Sequence, residues 1–128
     1  MTQKHYSETT DEEFIAALRA VVAENPDYVY RAPEHMDMLG AGACYYVHTS
    51  VVGDEEPTPG CVIGHVLHRL GVPLADLAKK EYRTADDVID YLMPRVSEAV
   101  RWTAFRVQDE QDRFAPWGEA LARAVGLL

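Results

Sequence analysis

A chain of 128 residues, 48% of them hydrophobic, is long enough to enclose one core and too short for two of ordinary size. Twelve Lys and Arg against 21 Asp and Glu leave a formal charge of −9, which disfavours nucleic acid or an anionic membrane as partner and favours a basic or protein surface. No apolar run approaches the ~20 residues that span a bilayer, and the opening MTQKHYSETTDEE lacks the apolar centre of a signal peptide, so a cytoplasmic location with Cys44 and Cys61 as free thiols is expected.

The pattern predicts a flexible N-terminus over 1–9 and a single α+β domain over 10–128, mostly helical with one two-stranded antiparallel hairpin. Thr10 with Glu13 matches a capping box. Phe14, Ile15, Leu18, Val21 and Val22 then repeat with the helical period up to Asn25-Pro26. Tyr28-Val29-Tyr30 and the run from Ala43 to Thr49 are aromatic and β-branched, and are read as the two strands of the hairpin. The connection between them, Pro33 to Gly42, carries His35, Met36 and Met38 and suits either a binding loop or an ordinary surface loop.

An acidic, breaker-rich loop from Gly53 leads into Pro59-Gly60-Cys61-Val62-Ile63-Gly64-His65-Val66-Leu67-His68-Arg69-Leu70-Gly71-Val72. At about 100° per residue, Val62, Ile63, Val66, Leu67 and Leu70 share one half of a helix and Cys61, Gly64, His65, His68 and Arg69 the other. Gly71 suits the left-handed position that ends a helix, and Pro73 prevents continuation. This helix is expected to lie against the hairpin, which two strands alone could not stabilise.

Pro73 to Lys80 reads as a short helix with proline at its first position. Thr84 and Asp87 suggest a cap for a helix that buries Val88, Ile89, Leu92 and Met93, until Pro94 removes a hydrogen bond to the Asp90 carbonyl. A fresh helix from about Pro94 to Asp112 turns Val96, Ala99, Val100, Thr103, Ala104 and Val107 inward and leaves Trp102 and Phe105 opposite. The last helix, with Trp117, Leu121, Ala124 and Val125 at helical spacing, is expected to cover those aromatics; the alternative is a homodimer or partner contact there.

Three readings of the Cys/His residues stand side by side. A cysteine in the first turn of a helix meets unpaired N–H groups that favour the thiolate, so Cys61 could serve as a nucleophile with His65, or with His48 on the strand, as base. Cys44-x-x-x-His48 and Cys61-x-x-x-His65 together resemble a zinc ligand set. A strand, however, separates Cys44 from His48 by about 13 Å, leaving Cys61, His65 and His68 as helix ligands. In the plainest reading Cys61 is a small buried residue, no metal or cofactor is held, and the histidines are half exposed. The acidic groups at Asp54-Glu55-Glu56, Asp86-Asp87 and Asp109-Glu110 are ascribed to solvation and caps, and no phosphate loop, GxSxG or HExxH occurs.

Pro-Gly-Cys-Val-Ile-Gly with the later Leu-Gly-Val resembles the cysteine-bearing helix of papain-like cell-wall peptidases. Those enzymes take their histidine from a sheet that follows, and no strand is expected after residue 61. Cys44-Tyr45-Tyr46-Val47, the Pro59–Val72 stretch and Gln108 to Trp117-Gly118-Glu119-Ala120-Leu121 together resemble small uncharacterised proteins of actinobacteria and their phages, which implies source rather than activity. The expected function is a non-catalytic protein-binding factor, host-directed or anti-defence if phage-derived, touching a protein partner or a second copy through Trp102, Phe105 and Trp117. The alternatives are a cysteine-dependent hydrolase and a small metal-binding protein.

Overall fold

The computed structural model describes residues 5–31, 45–48, 57–81 and 83–126. Thr10 opens α1 (Asp11–Glu24) with the expected capping box: its side chain accepts from the Glu13 N–H while the Glu13 carboxylate accepts from the Thr10 N–H at 3.0 Å. Phe14, Ala17, Leu18, Val21 and Val22 are buried along one face, and Asn25 ends the helix. Ahead of it, Tyr6–Glu8 form a single 3-10 turn closed by the Thr9 hydroxyl donating to the Tyr6 carbonyl at 2.6 Å.

The hairpin exists with a different first partner. β1 (Val47–His48) pairs antiparallel with β2 (Thr58–Pro59), in the register Val47↔Pro59 and His48↔Thr58. Tyr28 to Tyr30 is no strand because its backbone is used elsewhere. The Tyr28 carbonyl accepts from Trp117 N at 3.0 Å and the Pro26 carbonyl from Gly118 N at 2.7 Å, so this segment anchors the start of the last helix. Cys44 and the 33–42 connection lie outside the described residues.

From β2 the chain enters α2 (Val62–Arg69) through two hydrogen bonds to the residues just before β1: Gly60 N to the Tyr46 carbonyl and Cys61 N to the Tyr45 carbonyl, both 2.9 Å. A Cβ on Gly64 would stand 2.3 Å from the Tyr46 carbonyl oxygen, so the backbone leading into β1 lies directly on the helix and only glycine admits it. This corrects the two-faced picture of α2. Val62, Ile63, Val66 and Leu67 are buried as expected, but Cys61 and Gly64 on the supposed polar half are buried too, leaving His68 and Arg69 exposed. Gly71 ends the helix at φ 105, in the left-handed region.

α3 (Leu74–Ala78) and α4 (Ala85–Leu92) follow. Thr84 stands at the α4 N-cap without a side-chain bond, while Asp87 pairs with Arg83 at 3.3 Å instead. α5 (Glu98–Asp112) begins later than the spacing predicts. Ser97 caps it, its hydroxyl accepting from Val100 N, and Ser97 N donates to Asp11 at 2.6 Å, tying α5 to α1. The buried stripe of α5 is Ala104, Val107, Gln108 and Gln111, while Ala99 is exposed.

α6 (Trp117–Ala124) packs on α5, but on the side away from Trp102. Gln111, which receives the Trp117 indole, is nine residues from Trp102, and at about 100° per residue that is the far side of the helix. Trp102 remains 49% exposed, in edge-to-face contact with Phe105 at 5.4 Å, whereas Trp117 is 2% exposed and belongs to the core. Among the described residues, no helix is long and apolar enough to cross a membrane.

Between α5 and α6, Phe114 holds φ 69 while 65% exposed. A bulky residue in the left-handed region costs about 1–2 kcal/mol, and little apolar burial offsets it here. Phe114→Gly is therefore expected to stabilise the chain by about 1 kcal/mol, read as an upward shift of the denaturant midpoint at unchanged slope.

Candidate functional site

The N-terminus of α2 is the point where the predicted chemistry and the core meet. Cys61 is the N-cap residue, fully buried, so its thiol has no access to solvent. The first-turn N–H groups that would favour a thiolate are already occupied from α5: Val62 N donates to Gln111 Oε1 at 2.8 Å and Ile63 N to Gln108 Oε1 at 3.4 Å. Gln108 Nε2 in turn donates to Cys61 Sγ at 3.1 Å. Two glutamine amides thus cap α2 from a neighbouring helix, the task usually performed by a residue at the helix's own start. Gln111 Oε1 also accepts from the Trp117 indole at 3.1 Å and its Nε2 donates to Asp112 at 2.9 Å, so one amide joins α2, α5 and α6.

The histidines named with Cys61 have other engagements. Tyr45 N donates to the Tyr30 phenol at 3.0 Å, and that phenol oxygen lies 2.9 Å from His48 Nε2. His65 is half-buried, donates to the Gly60 carbonyl and meets the Trp117 ring edge-to-face at 5.3 Å. His68 is exposed and its Nδ1 lies 3.1 Å from the Val72 carbonyl. Among the described residues no group of three His, Cys, Asp or Glu side chains could hold a metal ion, which removes the Cys61/His65/His68 ligand set. Cys44 lies outside the described residues.

His65 lines a cleft of about 250 Å³ with Asn25, Tyr28 and Trp117, beside the Arg69–Glu24 ion pair. Burial, then the neighbouring charges of His68 and Arg69, hold the His65 imidazolium below the ordinary histidine range. The unfolded chain therefore takes up a proton that the folded one refuses. Stability associated with His65 is complete above the ordinary value of about 6.5 and is lost as pH falls through the lowered folded value. Melting curves across that window should show wild type losing stability more steeply than His65→Gln.

Glu81 shows the opposite sign. Its carboxylate accepts from Tyr46 N at 2.8 Å and Val47 N at 3.2 Å, holding β1, and burial pushes its pKa up despite those two bonds.

The glutamines were the residues missed. Ala104, Val107, Gln108 and Gln111 continue at i, i+3, i+4 and i+7, so the helical period itself carries both amides into the core. No protein-family model, no curated protein and no solved structure matches the chain.

Proposed function

We propose that the chain acts by binding a protein partner and not by thiol or metal chemistry. The observation that carries this reading is the exposed Trp102, locked edge-to-face against the half-buried Phe105 on α5, with Gln111 and its bond to the α6 indole on the side of α5 opposite Trp102. Aromatic residues on a rigid helix supply large contact area with little rotamer entropy to lose, the usual make-up of an interface hot spot. The sealed Cys61 supports the same reading from the other direction. With a net charge of −9, a basic protein surface is the natural counterpart, and a host protein is the candidate class if the source is an actinobacteriophage.

The test compares wild type, Trp102→Ala/Phe105→Ala and Cys61→Ser in affinity capture from actinobacterial lysate, followed by titration of the captured protein. The aromatic double variant should lose affinity by roughly 30-fold or more, the equivalent of a hot spot worth about 2 kcal/mol, while Cys61→Ser keeps it. Binding indifferent to both aromatics, or a turnover that vanishes with Cys61, would overturn the reading.

A further inference from the structure

We propose that a second copy of this chain docks antiparallel on the outer face of α1, about a two-fold axis passing between Ile15 and Ala16. This surface is separate from the Trp102–Phe105 pair and does not depend on the function proposed for it. Asp11, Glu12, Ile15, Ala16 and Arg19 line a shallow groove of about 420 Å³ along α1. Residues 11, 15 and 19 form one i, i+4 row and 12 and 16 the next, so the five make a continuous stripe on one side of the helix.

Acid stands at the N-terminal end of the stripe, base at the C-terminal end, and apolar surface between them. That layout is complementary to itself. Positions 12 and 19 are symmetric about the midpoint of Ile15 and Ala16, and positions 11 and 19 about Ile15. An antiparallel copy therefore brings each Arg19 level with Glu12 and Asp11 of the other chain, twice over, which is the requirement of a two-fold interface. A parallel copy would set acid on acid and base on base.

The groups that would pair are available. Glu12 and Arg19 are exposed and make no hydrogen bond or ion pair with any described residue, and Asp11 spends one oxygen on Ser97 N. Ala16 is exposed and small, which lets two helix backbones approach at the centre, and Ile15 is already half-buried against the core and would complete its burial there. A crossing angle near +20° keeps both charged ends within side-chain reach over the roughly 10 Å that separates residues 12 and 19 along the axis. One helix face buries less than the ~1,200 Å² of a tight complex, so the expected dimer is weak, with Kd on the order of 10–100 µM.

Sedimentation equilibrium across the concentration range gives the test, using wild type, Glu12→Arg, Arg19→Glu, the double variant Glu12→Arg/Arg19→Glu, and an equimolar mixture of the two single variants. Each single substitution sets like charge against like at both ends and should weaken self-association by about 10-fold or more. The double variant, and the mixture as a heterodimer, restore opposite charges and should recover wild-type affinity to within about 3-fold. Both substituted positions are solvent-facing, and rescue by the second charge change separates a lost contact from a lost fold. Wild type that stays monomeric to about 1 mM overturns the proposal, as do single variants that dimerise normally or a double variant and mixture that fail to recover. A dimer abolished by Trp102→Ala but indifferent to the α1 charges would place self-association on α5 and overturn it equally.

Discussion

Gly64→Ala is expected to destabilise the chain by about 3 kcal/mol or more, although alanine at a helix-interior glycine ordinarily gains about 1 kcal/mol. The reversal of sign comes from Tyr46, the residue just before β1. The added methyl would stand 2.3 Å from the Tyr46 carbonyl oxygen and 3.0 Å from that residue's carbonyl carbon and Cα, all of it backbone that cannot rotate away. Tyr46 is itself fixed, its N–H on Glu81 and its phenol donating to the Arg83 carbonyl at 2.6 Å. Relief requires α2 to slide off that segment, taking with it the Gly60 and Cys61 amide bonds to the Tyr46 and Tyr45 carbonyls. Thermal melting should show Tm lowered by roughly 10 °C or more. An unchanged or raised Tm would mean that the Tyr46 backbone does not rest on α2.

Gln111→Leu is the second large effect, at about 2–5 kcal/mol. The leucine fills the space but leaves the buried Val62 N–H and the Trp117 indole N–H without an acceptor, each costing about 1–3 kcal/mol. Amide hydrogen exchange separates this loss from a general packing defect, because protection should fall first at Val62, at the open end of α2. Gln108→Leu should cost less. Its bond to Ile63 N is long at 3.4 Å, and its other partner, the Cys61 thiol, is a weak acceptor.

Those two residues mark where the sequence is legible and where it is not. Local signals translated directly: the Thr10–Glu13 capping box, the buried row from Phe14 to Val22, the left-handed Gly71 and the break at Pro94 each depend on neighbours within a few residues. The mostly helical α+β fold with one two-stranded antiparallel sheet is visible at that level. What failed depends on distant chain. Tyr28-Val29-Tyr30 has strand composition, but the Tyr28 carbonyl, with that of Pro26 just before it, is taken by the start of α6, about 90 residues on. The periodicity of α2 shows which residues are polar, and says nothing of the Tyr46 backbone lying across Gly64 or of amides arriving from α5 to close over Cys61. The cysteine therefore reads in sequence as a helix-start nucleophile and becomes, once α5 is in place, a buried junction.

The measurement that tests this account most directly is the rate at which Cys61 reacts with a small aromatic disulfide, in a Cys44→Ser background so that one thiol is followed. A buried N-cap cysteine reacts only when the structure opens. The rate should lie at least roughly 1,000-fold below that of the unfolded chain and climb with denaturant in parallel with global unfolding. Complete labelling within seconds under native conditions, at a rate that holds as pH drops below the usual thiol range, would show an accessible thiolate at the start of α2 and would contradict the structural role assigned to Cys61.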